Sequence, residues 1–127
     1  MKAHYQTETY LQQPIPWRHR RILTQFRCGS APLRLETGRY ERLPVSERTC
    51  SYCLDAVEDE RHVITECPLY RDLREELYAK CHVLCPDFYE LSSTDKLCVI
   101  LANHELARTS SRILFQMMEK RRQFIYT

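Results

Sequence analysis

The chain has 127 residues, 43% of them hydrophobic and 28% charged, enough for one modest core and far from disordered, collagen-like or coiled-coil compositions. Its net charge of +2 hides segregation: residues 1–49 carry nine Lys/Arg against four Asp/Glu, residues 50–90 four against ten, and residues 91–127 six against three. Only two glycines occur, which excludes a Gly-rich phosphate cradle, and seven cysteines without an apolar leader argue for reduced thiols or metal ligands over a closed disulfide framework.

Residues 1–13 are polar and aperiodic and end in a proline pair, Pro14 and Pro16, so they are expected to form a flexible tail before a single domain at 14–127. Pro16 suits a helix start, and Trp17, Ile22, Leu23 and Phe26 form an apolar stripe beside an arginine stripe up to Gly29, which predicts a short amphipathic helix. From Ser30 to Arg48 two prolines, a glycine and loosely alternating leucines predict irregular or short extended structure wrapping the core. Leu69, Leu73, Leu77 and Cys81 or Leu84 recur at helical spacing and stop near Pro86. A second helix is expected behind a cap at Ser92 or Ser93, with Asp95 in its first turn and Leu97, Ile100 and Leu101 on its buried face. A third runs from about Glu105, with Leu106, Ile113, Leu114, Met117 and Phe124 or Ile125 apolar. The fold class expected is a mainly α domain of four or five helices with little or no sheet.

The segment with chemical content is Cys50-Ser-Tyr-Cys53, followed by eight residues, His62, four residues and Cys67. A structural zinc ion needs four tetrahedral Cys or His ligands. Two cysteines separated by two residues can turn inward from one tight loop. His62 on a short helix, with Cys67 just past the end that Pro68 enforces, can complete the set. Glu58, Asp59 and Glu60 would then lie at the start of that helix as solvated charges favoured by its dipole. Cys50, Cys53, His62 and Cys67 are therefore the expected ligands of one structural Zn2+, and four protein ligands leave no position open for catalytic water. Cys81, His82 and Cys85 offer a second possible set with no fourth ligand nearby, and they read more simply as core or helix-end residues.

Eight arginines and no lysine lie between Arg18 and Arg48, interleaved with aromatic side chains. Guanidinium forks match phosphate oxygens and stack on bases, so Arg18, Arg20, Arg21, Arg27, Arg34 and Arg39 are candidate contacts to RNA or DNA. The competing reading pairs these arginines with the acidic centre of the same chain, leaving a protein-interaction or structural module. The basic amphipathic C-terminal stretch reads more simply as closing the core than as a membrane helix. No nucleophile–base pair or convergent carboxylate set argues for an enzyme.

The strings RILTQFRCGSAPLRLETGRY, ERTCSYC and VEDERHVITECPLYRDLR resemble the zinc-binding segment that follows the reverse transcriptase domain in LINE-like, non-LTR retrotransposon proteins. The resemblance runs from about Arg20 to Arg74 and more loosely to FQMMEKRRQFIY. It rests on Arg27, Gly29, Leu33, Glu36, Gly38, Arg39 and Tyr40 together with the Cys-x-x-Cys, Glu-Asp-Glu-x-His and Cys-Pro-Leu-Tyr strings. It implies the same four zinc ligands, a job in engaging RNA or target DNA, a reverse transcriptase chain as partner, and nuclear residence within an intracellular setting. The chain carries no Tyr-x-Asp-Asp polymerase signature, so the resemblance is to a detached C-terminal fragment of such a protein. Its eight-residue gap between Cys53 and His62 also differs from the retroviral nucleocapsid knuckle.

Overall fold

A computed structural model describes residues 15–126, and the expected N-terminal tail lies outside them. Six α-helices and four short 3-10 turns make up the described residues, with one isolated antiparallel bridge, Thr49 to Val57, in place of a sheet. The mainly helical expectation holds, with more helices than expected. No helix among the described residues is long and apolar enough to cross a membrane.

Helix α1 (Trp17–Arg27) follows Pro16, whose carbonyl accepts from the Arg20 N–H. It ends where Gly29 takes φ +69°, a left-handed turn that lets the Ser30 N–H reach the Gln25 carbonyl at 2.9 Å. Its buried line is Leu23 and Phe26, continued by Ile15 just before the helix. Trp17, expected on that stripe, is instead 59% exposed. Only two residues beyond Ile15, it falls on the opposite side of the opening turn.

The stretch expected to be irregular forms helix α2 (Arg34–Tyr40) and a 3-10 turn, Val45–Glu47. No side chain within the segment caps α2. Its first amides are held from a distance: the Arg34 N–H donates to Glu58 Oε1 at 2.8 Å and the Leu35 N–H to the Glu58 carbonyl at 2.9 Å. That is why local sequence was blind to it. Gly38 is buried in α2, and a Cβ there would lie 2.6 Å from Arg48 Cγ. The Arg48 chain is itself pinned, with its guanidinium donating to the Leu43 and Leu35 carbonyls.

Helix α3 (Glu60–Thr65) precedes α4 (Arg71–Leu84), with a 3-10 turn at Pro68–Tyr70 between them. Helix α5 (Ser93–Ala102) starts under Ser92, whose Oγ accepts from the Asp95 N–H, as the sequence predicts. The last helix, α6 (Ala107–Tyr126), packs along α1 and α4, while α3 packs against α5. Leu77, Cys81, Ile100, Ile113, Leu114 and Met117 fill the shared core, whereas Phe124 and Leu84 are exposed where α6 and α4 reach solvent. The C-terminal helix thus covers the core of its own domain.

Candidate metal centre

The metal segment is built on a tight turn tied at its base. The Cys50 N–H donates to the Ala56 carbonyl and the Glu58 N–H to the Arg48 carbonyl, both at 2.9 Å, and the Leu54 N–H closes the Cys50–Cys53 turn onto the Cys50 carbonyl. Leu54 takes φ +62°, a left-handed conformation costly for a residue with a Cβ, and leaves its side chain 70% exposed. On the other side Asp59 caps α3 by accepting the His62 N–H at 2.8 Å. His62 therefore sits in the first turn of a short helix, and Cys67 lies just beyond its end, its N–H bound to the His62 carbonyl.

These two pieces bring Cys50, Cys53, His62 and Cys67 together, with their ligand atoms all within 4.8 Å of one another. The Cys50 and Cys67 sulfurs are 3.8 Å apart. A disulfide needs about 2.05 Å, whereas the edge of a tetrahedron of thiolates around an ion at about 2.3 Å is about 3.8 Å. Cys53 Sγ lies 3.3 Å from His62 Nε2, near the roughly 3.6 Å edge that a sulfur and an imidazole nitrogen would share on such an ion. The cluster can hold one metal ion. Burial, more than the adjacent Cys50, raises the Cys67 thiol to about 12, so a bound cation is what would make Cys67 a thiolate at neutral pH.

Groups outside the ligand set fix it in place. Glu66 Oε1 lies 3.4 Å from His62 Nδ1, the arrangement that puts a proton on Nδ1 and turns the Nε2 lone pair toward the cysteines. The Arg74 guanidinium donates to the carbonyls of Ile64, Val63 and Cys67, tying the end of α3 and the fourth ligand to α4. Tyr70, buried next to Glu58 and Cys67, has a hydroxyl with no hydrogen-bond partner among the described residues.

Glu58 and Glu60 are not solvated charges, contrary to expectation. Glu58 is 2% exposed and accepts a two-pronged Arg121 guanidinium, both contacts at 2.8 Å, besides the Arg34 amide. Glu60 is buried and accepts the Ala31 N–H, and desolvation raises its carboxyl above the usual range. Asp59 as the cap and Glu60 in the first turn of α3 both hold the expected place at the helix start; what fails is the expected solvation of Glu58 and Glu60. The roles of Glu58, Glu60, Glu66, Arg74 and Arg121 are not legible in the sequence, because each is set by a partner on another turn or helix. A faint signal existed in Glu58 and Glu60 flanking the cap residue at alternate positions, which turns both to one side of an extended entry.

The second set does not assemble: the cysteine–histidine cluster above is the one found among the described residues. Cys81 is buried in the core, His82 faces Tyr89, and the Cys85 thiol donates to Asp87. The six candidate arginines divide. Arg18, Arg21 and Arg27 are exposed along α1 and Arg20 is half-buried there. Arg34 is paired with Glu41 at 2.7 Å and Arg39 with Glu36 at 2.8 Å. Comparison with protein-family models, curated proteins and solved structures finds no match to this chain.

Proposed function

We propose that the chain is a non-catalytic domain stapled by one structural Zn2+ at Cys50, Cys53, His62 and Cys67, and that it contacts RNA or DNA phosphates through arginines of its N-terminal half. The observation that carries the metal identity is the donor set, three thiolates and one imidazole, since soft sulfur and borderline nitrogen in four-coordinate geometry suit zinc. Four protein ligands fill a tetrahedron, which favours a structural over a hydrolytic role.

The nucleic-acid half of the proposal is supported by α1, which projects Arg18 and Arg21 into solvent, and by the resemblance to the retrotransposon segment. On that reading the domain is a detached piece of a larger element protein, acts beside a reverse transcriptase chain and works in the nucleus. The discriminating experiment is RNA and DNA binding followed against salt. Phosphate-driven association weakens steeply and log-linearly as salt rises, and charge reversal at Arg18 and Arg21 lowers the slope. Absence of binding at low salt would reject this half while leaving the metal site intact.

The internal pairing of Arg34, Arg39, Arg112 and Arg121 with Glu41, Glu36, Glu76 and Glu58 favours a second reading, a zinc-stabilised protein-interaction or structural module. In that case neutralising Arg18 and Arg21 leaves every binding and stability measurement unchanged.

A further inference from the structure

Where α1 and α6 lie side by side, a groove is lined by Trp17, Arg18, Arg21, Gln25, Phe115 and Arg122, with Glu119 the acidic side chain on its wall. Three guanidinium groups against one carboxylate leave it net positive, although Arg122 also contacts Glu119. The groove shares Ile22, Pro32 and Arg122 with a second one that leads past Thr49, Ser51 and Leu54, the rim of the metal turn. The open track thus continues from the start of α1 to the metal-binding segment, but its second part sets Glu41 and Glu47 against Arg34 and Arg121, so the net positive charge belongs to the α1–α6 groove.

Trp17 is out of place for a core residue. It is the chain's sole tryptophan, it is mostly exposed, and the Arg18 guanidinium lies over its ring, 5.7 Å from the centroid. An indole backed by a guanidinium and standing at the mouth of a basic groove is a platform for a flat, electron-rich ring. Paired bases in a duplex present only their edges, whereas unpaired bases can splay out and stack. Acidic peptide would satisfy the arginines and leave the indole without a matching partner.

We propose that the α1–α6 groove is a binding site for single-stranded polynucleotide, with a base stacked on Trp17 and the adjoining phosphates held by Arg18, Arg21 and Arg122. This deepens the proposed contact to nucleic acid and rests on it, adding the strandedness and the stacking residue. The strand would run along α1, about 16 Å long at 1.5 Å per residue, room for a few nucleotides.

The test uses Trp17 fluorescence of the zinc-loaded full chain at low salt, titrated with oligo(dT) of about 12 nucleotides, with a blunt duplex of equal length and with poly-glutamate. The single strand is expected to quench Trp17 saturably and to bind at least about tenfold more tightly than the duplex. Binding followed by anisotropy of a labelled strand should weaken about tenfold in Trp17→Ala and recover in Trp17→Phe. Because Trp17 is exposed, the Ala variant should melt as the parent does, which separates lost stacking from lost fold. Equal affinity for duplex and single strand, with Trp17 emission unmoved, would overturn the stacking site while leaving phosphate contact standing. No binding of either nucleic acid would remove both proposals. Equal quenching by poly-glutamate would make the groove a site for acidic protein and would also overturn the proposal.

Discussion

Removing the Arg121 guanidinium isolates a charge that the fold has buried. Glu58 is 2% exposed and the Arg121 side chain 14%, and the pair is joined by two contacts of 2.8 Å. In Arg121→Met the aliphatic bulk is largely retained, but the Glu58 carboxylate keeps only the Arg34 amide. Breaking one side of a buried, doubly hydrogen-bonded pair costs about 3–5 kcal/mol, against a total of about 5–15 kcal/mol for a domain. For a chain of this size that corresponds to a fall in Tm of roughly 10–20 °C. The loss should spread to the metal segment, because Glu58 both anchors the start of α2 and follows the base of the Cys50–Cys53 turn. The assay is urea denaturation of zinc-saturated protein for Arg121→Met, Glu58→Gln and the double variant. Each single variant should be strongly destabilised, and the double variant should be less so than their sum by about 2 kcal/mol or more. Arg34→Met, which breaks the exposed pair with Glu41, is the control and should cost under about 1 kcal/mol. If Arg121→Met matched this control, the Glu58–Arg121 fork would not be the anchor described.

Gly38→Ala drives a Cβ to within 2.6 Å of a pinned Arg48 side chain and should destabilise by about 1–3 kcal/mol in the same denaturation assay; an unchanged midpoint would show that Arg48 moves aside freely. Leu54→Gly relieves a left-handed φ on an exposed side chain, so stability should hold or rise by about 1 kcal/mol with metal content unchanged. A substantial fall in stability would mean that the Leu54 side chain contributes packing the structure does not display. Chelation should unfold the α3 region or the whole chain, since zinc binding by such ligand sets is worth about as much as an entire domain's stability. Lowering the pH should do the same: protons compete for the three thiolates and His62, so metal affinity falls as pH falls, and circular dichroism with metal release would follow the two losses together.

The metal ligands were legible because all four fall within 18 residues, Cys50 to Cys67, and because Pro68 and the acidic run mark where the short helix carrying His62 stops and starts. Helical periodicity located α1, α4, α5 and α6, and Ser92 announced its own helix by capping chemistry. Helix α2 was illegible for the same physical reason that Glu58 was misread. The carboxylate and the Arg34 amide it holds are separated by 24 residues, and its guanidinium partner by 63. A carboxylate in an acidic run looks solvated until an arginine from the other end of the chain reaches it. Trp17 was misassigned because a stripe of apolar residues at a helix start does not say which member the preceding residue, here Ile15, displaces from the core.

The metal content of the purified chain tests the central claim most directly. Tag-free protein isolated under reducing conditions without added metal, measured by elemental analysis alongside Cys67→Ser, should carry one zinc per chain in the parent. The variant should lose that zinc and melt lower or not fold. A folded parent without stoichiometric zinc, or a Cys67→Ser variant that keeps both its metal and its melting temperature, would contradict the account.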